Sequence, residues 1–344
     1  MRLFSEFLTE SKNLHMEHLE DSVFNEGSSG VVDAIRFLEA VTGMLSDSDA
    51  GGMRVTVKWD GAPAVFAGIN PENGKFFVGT KSVFNKVTPK INYTDADIDA
   101  NHSGQLAEKL KTALEYMPKL GIEDVLQGDL LFTDDVSPEK IDGEIYYSFT
   151  PNTITYAVPV ASDLGKEIKK AKMGIVFHTK YTGSTMKEMK ASFNPNVSSL
   201  NSTSDVYYSD ADIEDFSGVM LTSDESKDIT SKINQCKGLL KKSGRVIDII
   251  AKEYGDEFRK KIRGKTSALK AAFELSAALT DAKMPLIRKL ESIKSMGTFI
   301  KTNNGYRVTA PEGFVAVDLD GKALKLVDRL EFSRANFTVS KNWD

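Results

Sequence analysis

The chain has 344 residues, 27% of them charged, a formal net charge of −5, one cysteine and four histidines. This is the composition of an ordinary globular protein, long enough for two domains or for one domain with an insertion. It excludes a disulfide framework, leaves little for a zinc site, offers no apolar run long enough to cross a membrane, and argues against a uniformly basic nucleic-acid coat; the lone Cys236 fits a reducing cytoplasm.

Residues 1–50 read as a helical segment, with Val31, Ile35 and Leu38 on one face. Asp47 to Gly52 is a loop of small and acidic residues. From Met53 the period changes to that of strands. Met53 to Trp59, Ala64 to Ile69 and Lys75 to Thr80 are short apolar stretches, separated by turns at Asp60-Gly61 and Asn70 to Gly74. Such a meander predicts an antiparallel sheet. Asp95 to Asp99 reads as a loop or helix start, Leu106 to Met117 as an amphipathic helix and Val125 to Phe132 as a strand. Ile145 to Phe149 and Ile154 to Val158 read as a hairpin, Lys166 to Lys172 as a short helix and Met173 to Tyr181 as a strand. Ser192 to Ser204 is a loop, and Asp205 to Leu221 has room for two further strands.

The texture then becomes Lys-, Ala- and Leu-rich. Ser223 to Met296 has helical spacing, and breaks near Gly244, Gly264 and Pro285 predict four helices. Between Glu225 and Met296 stand 17 Lys or Arg against 9 Asp or Glu, a net of +8, which leaves −13 on the remainder. Strand texture returns at Thr298 to Thr309, Gly313 to Leu319 and Ala323 to Val327. The predicted fold is therefore α+β: a mainly antiparallel core over 51–222 and 297–344, preceded by the helical segment 1–50 and interrupted by a basic helical insertion at 223–296.

The run Val55-Thr56-Val57-Lys58-Trp59-Asp60-Gly61 carries the most chemistry. An alternating strand delivers a lysine to a turn ended by Asp-Gly, a pair suited to positive φ. A lysine at a strand end, beside a glycine that admits close approach, is placed to attack a phosphorus atom. Such an attack requires an unprotonated amine, a pocket for the base, contacts to the ribose, a metal ion and cations around the phosphates.

The later segments resemble those of the covalent, lysine–nucleotide-forming nucleotidyltransferases: ATP-dependent RNA and DNA ligases and mRNA capping enzymes. Lys58-Trp59-Asp60-Gly61 is similar to their Lys-x-Asp-Gly motif I. Lys81 follows where the family often has a cation that reaches ribose and phosphates. Gln127-Gly128-Asp129 is similar to motif III, with Asp for the usual Glu. Gly174 to Thr179 is similar to motif IIIa, whose aromatic, here Phe177, stacks on the base. Glu312-Gly313 is similar to motif IV, and the strand carrying Lys325 to motif V. The segments run in family order. Thr56 and Val57 stand where ligases carry a carboxylate that reads adenine. Only 17 residues follow Val327, so no OB domain is expected after it. The layout is closest to RNA ligases that lack an OB domain, and an enzyme this small would suit a bacteriophage.

The resemblance implies a ligase-type nucleotidyltransferase core (ATP-grasp-like) that uses ATP with Mg2+ or Mn2+ to seal 5′-phosphate to 3′-hydroxyl ends, RNA favoured. DNA ligation or GTP-dependent guanylyl transfer is the alternative, and a non-catalytic nucleic-acid-binding or structural protein the alternative of another class. In this scheme Lys58 is the nucleophile. Thr56, Val57, Trp59, Asp60, Gly61, Lys81, Asp129, Phe177, Glu312 and Lys325 surround the nucleotide, and Glu312 with Asp129 would hold the metal. Bland readings stand beside these. Trp59 and Phe177 suit core packing, Glu312 a turn, Lys81 and Lys325 solvent. The clusters Lys241-Lys242 and Arg259-Lys260-Lys261 suit either a solvated face or a nucleic-acid backbone.

Overall fold

Strand alternation and helical periodicity divide this chain into three sheets and two helical layers. The computed structural model describes residues 17–46, 53–213, 216, 219–261, 269–293, 296–302, 305–309 and 312–328, and side chains along the long helix that starts at Ser223 are described as far as Ala251. From the N-terminus come strand β1 (Glu17–His18), helices α1 (Ser22–Asn25) and α2 (Gly27–Met44), and strands β2 (Arg54–Lys58), β3 (Ala64–Ile69) and β4 (Phe76–Gly79). Helices α3 (Asp95–Asn101) and α4 (Gly104–Tyr116) follow, then strands β5 (Val125–Phe132), β6 (Ser137–Ile141), β7 (Glu144–Phe149) and β8 (Thr155–Pro159). Helix α5 (Asp163–Lys170) leads to β9 (Met173–Thr182), β10 (Lys190–Ser192) and β11 (Val206–Asp210). The long α6 (Ser223–Lys261) and α7 (Lys270–Leu290) precede β12 (Gly297–Thr302), β13 (Gly305–Val308), β14 (Gly313–Val317) and β15 (Ala323–Leu326).

The first sheet has the order β1-β15-β14-β2. The second runs β10-β9-β5-β3-β4, with β11 paired in parallel to β9, and the third runs β13-β12-β8-β7-β6. Apart from β1–β15 and β11–β9, the strand pairs are antiparallel. The fold is α+β with mostly antiparallel sheets.

Each sheet's two faces do different things. On the first sheet Val55, Phe314, Ala316, Leu324 and Leu326 turn to one side and bury against α2, α6 and α7. Val315, Val317 and Ala323 turn to the other and pack with Phe193. On the second sheet Val65, Ala67, Leu126, Leu130, Ile175 and Phe177 bury against Leu110 and Ala113 of α4. Its opposite face meets the third sheet through Leu131, Val176, Phe149 and Tyr156. The first two sheets are stitched together by the chain that leaves β11. Ala211 donates to the Phe177 carbonyl, Val57 donates to the Ala211 carbonyl, and Ile213 donates to the Val55 carbonyl.

The helical part departs from expectation. Helix α6 runs unbroken through Gly244, and α7 contains Pro285 within it; Gly264 lies outside the described residues. Segments 1–50 and 223–296 were expected as separate pieces. Their described parts instead share one core, in which Val31, Ile35 and Leu38 of α2 pack with Ile233 and Cys236 of α6 and Leu279 of α7. Elsewhere β6 and β10 were not foreseen, α3 is a helix opened by a Thr94–Asp97 capping box, and the described residues between Asp205 and Leu221 hold one strand.

Candidate functional site

Lys58 is the last residue of β2, and the register places it opposite Gly313 at the start of β14. That pairing brings the preceding residue, Glu312, to the lysine, and the Lys58 ammonium forms an ion pair with the Glu312 carboxylate. Gly313 has φ +140°, and a Cβ there would lie 2.7 Å from Val327 Cγ2 and 2.8 Å from the Leu326 carbonyl, so the close passage of β14 by the end of β15 requires glycine. Burial pushes the Glu312 carboxyl up from its ordinary value; the Lys58 charge opposes that shift, and the negative charges of Asp60 and Asp129 add to it.

Parity sets the rest of this wall. Thr56 shares the Lys58 face of β2 and pairs with Val315, which pairs with Lys325 on β15. Lys325 thus stands on the same sheet face as Lys58, two strands away, a lateral step of roughly 10 Å. Thr56 is buried, with its hydroxyl 3.5 Å from the Val315 carbonyl. Val57 points the other way, half-buried among core residues.

The second sheet supplies the facing groups. Asp129 of β5 comes against the motif turn: a Cβ added at Gly61 would lie 2.5 Å from Asp129 Cβ. Gly61 is therefore needed for this contact; the positive φ expected of the Asp-Gly pair is not among the turn's features. His178 Nε2 lies 3.8 Å from Asp129 Oδ1, while its Nδ1 is 2.7 Å from the Thr179 hydroxyl. Lys81 follows the end of β4 and is exposed, on the end of the sheet where Ala64 pairs with Asp129. Glu312 and Asp129 offer two hard oxygen donors on opposing walls. Among the described residues no group of three or more His, Cys, Asp or Glu is arranged to hold a metal ion. Two carboxylates suit Mg2+ or Mn2+, which would take its other ligands from water and phosphate oxygens.

The family model for DUF6267, described as a family of unknown function, matches residues 13–266 and 255–341. The chain belongs to this family. No match was found among curated proteins or among solved structures.

Three expected site residues, Phe177, Trp59 and Asp60, sit elsewhere than their motifs implied, as do the basic clusters. Phe177 is fully buried against the α4 layer, so its ring has no free face and it is not a base platform. Strand alternation sets this: Phe177 shares a face with Ile175, and His178 shares the opposite face with Val176, which pairs with Asp129; a β-bulge follows, where Gly128 pairs with Phe177 and Gln127 with Thr179. The sequence favoured a surface or core histidine at His178 over a nucleotide contact, and its place beside Asp129 comes from the pairing of β9 with β5. Trp59 is buried and packs its ring against Tyr156, centroids 5.0 Å apart. Asp60 is buried with its carboxylate turned into the third sheet. The basic residues fall on the far side of the first sheet. Lys241 and Lys242 are exposed on α6, which packs against the sheet face opposite Lys58. Arg259, Lys260 and Lys261 end the same helix, with side chains outside the described part of the structure.

Proposed function

We propose that this protein is a ligase-type covalent nucleotidyltransferase: an ATP-dependent polynucleotide ligase, with RNA the favoured strand. The observation that carries the reading is the convergence at the end of β2, where Lys58 meets Glu312 across one ladder, shares a face with Lys325, and looks toward Asp129 on the neighbouring sheet. Motifs far apart in sequence supply these groups, and a lysine nucleophile for phosphorus needs this company.

In the proposed reaction the Lys58 ammonium first loses a proton. The free amine attacks the α-phosphorus of ATP, a P–N bond forms, and the P–O bond to pyrophosphate breaks. The ion pair with Glu312 fixes the direction of the amine before the nucleotide arrives. Lys325 and Lys81 would balance phosphate charge, and Asp129 would accept from a ribose hydroxyl. A bound Mg2+ or Mn2+ would neutralise charge on the phosphates. The nucleotide then passes to a 5′-phosphate end and is displaced by a 3′-hydroxyl. Thr56 favours a second reading, GTP as donor, since no carboxylate stands where ligases read adenine.

Incubation with Mg2+ and α-labelled ATP or GTP tests the proposal. The expected product is an acid-labile protein–AMP adduct that Lys58→Ala abolishes. Labelling by GTP alone would select guanylyl transfer. No label with either nucleotide, or label that survives Lys58→Ala, would overturn the reading.

A further inference from the structure

The motif lysine is held by its two sequence neighbours as much as by its strand. Asp60 is 7% exposed, and three donors from within the protein engage its carboxylate. Oδ1 accepts from Asn152 Nδ2 at 2.7 Å, and Oδ2 accepts from the backbone N–H groups of Thr153 and Ile154, both at 2.7 Å. A carboxylate offers about four acceptor sites, so about one is left. The Asp60 N–H donates to the Tyr156 hydroxyl at 2.8 Å, and Tyr156 in turn packs on Trp59. Beyond Gly61, Ala62 donates to the Leu130 carbonyl at 3.0 Å and accepts from Lys109 Nζ at 3.2 Å. The whole turn after Lys58 is thereby fastened to the β7–β8 connection on one side and to β5 and α4 on the other.

From this geometry we infer that Asp60 is a positioning residue: through the 152–154 connection it fixes the backbone direction from which Lys58 reaches Glu312, and it does not bind the nucleotide. The third sheet, which supplies no side chain to the proposed chemistry, thus sets the aim of the nucleophile. The inference rests on Lys58 as the reactive group, and its test separates the two claims.

Asp60→Asn places an amide NH2 against donors, and Asn152→Ala removes one bond while leaving both backbone bonds in place. Two readouts apply to each variant, after thermal melts have shown which are folded. The first needs no activity: brief acylation by an amine-reactive ester, with the Lys58 and Lys81 peptides quantified by mass spectrometry. Exposed Lys81 is the reference. Loosening the turn should raise the Lys58-to-Lys81 ratio several-fold in Asn152→Ala and further in Asp60→Asn. The second is adduct formation from ATP. A misplaced nucleophile should lower kcat by about 100-fold in Asp60→Asn while KM for the nucleotide holds. A raised KM with unchanged kcat would make Asp60 a nucleotide ligand and overturn the inference, as would an acylation ratio that neither variant moves. Should Asp60→Asn fail to fold, Asn152→Ala still decides. Should the wild type form no adduct, the proposed function falls, and the acylation ratio alone judges the positioning.

Discussion

Gly61 shows how tightly single residues are set around Lys58. Its missing side chain is what lets the motif turn lie against Asp129. Gly61→Ala should drive a methyl into Asp129 and push the two walls of the cleft apart. Overpacking of this kind costs typically ~1–3 kcal/mol. Thermal melts should show that loss, and adduct formation should weaken with it; a variant with wild-type melting and labelling would mean that the turn yields freely. At this scale the sequence was partly legible. Lys58, Gly61 and Glu312 could be picked out because each sits in a short pattern whose spacing survives folding. Phe177 and His178 could not be assigned their faces, because the motif alone does not fix which parity of β9 turns to α4 and which to Asp129; the pairing of β9 with β5 does. Asp60 was misplaced for a similar reason. Nothing near it in sequence announces that its acceptors will be filled by residues 152–154, some 90 positions away.

Among the elements, the two long helices explain why local breakers misled. Glycine within a helix costs about 1 kcal/mol and proline about 3 kcal/mol, on average hosts. At Gly244 a Cβ would meet Ser28 Cβ at an ordinary 3.9 Å, so the packing does not require glycine there, and α6 runs on because Ile247 and Ile250 just beyond it are buried in the shared core. Helix α7 continues through Pro285 because Leu279, Ala282, Leu286 and Leu290 on either side of it are buried in the shared core. Packing overrides propensity at both positions. The start of α6, by contrast, follows local rules. Thr222 and Glu225 form a reciprocal cap: the Thr222 N–H donates to Glu225 Oε2 at 2.7 Å, and the Glu225 N–H donates to the Thr222 hydroxyl at 3.3 Å. Lys289 of α7 adds a contact at 3.0 Å. The Thr222 backbone N–H, then the Lys289 ammonium and the Thr222 hydroxyl, pull the Glu225 carboxyl from 4.5 down to about 2. A depressed carboxyl contributes stability that is full above its unfolded value and is lost as pH falls through the folded one. Glu225 should therefore support the fold above about pH 4.5 and withdraw that support between about 4.5 and 2. Melting curves taken stepwise into acid should fall less steeply over that window for Glu225→Gln than for wild type. Parallel curves would show that the cap does not titrate with the fold.

At the scale of the whole molecule, the basic composition of 223–296 suggested an insertion that could be lifted out. The packing argues otherwise. Ile229, Ile233, Cys236, Ile247 and Ile250 of α6 and eight buried apolar positions along α7 pack with α2 and with the inner face of the first sheet, the same sheet whose outer face carries Lys58. Lys283 of α7 is 1% exposed and pairs with the equally buried Glu20, just before α1. Breaking a charge pair this deep by removing one partner costs roughly 3–5 kcal/mol. Excision of residues 223–296 with the ends rejoined should abolish cooperative unfolding, since it strips one face of the first sheet of its packing. Lys283→Met tests the same coupling without removing the helices: it should lower the unfolding free energy measured in urea by about that amount, with the midpoint falling in proportion, and Glu20→Gln combined with it should restore much of the loss. A shortened chain that still melts cooperatively, with Lys283→Met unfolding like wild type, would show that the helices are a detachable module. The expected result makes them the support on which the Lys58 strand is laid, since β2 has its neighbour β14 on one edge, the 211–213 segment on the other, and the helical layer behind it.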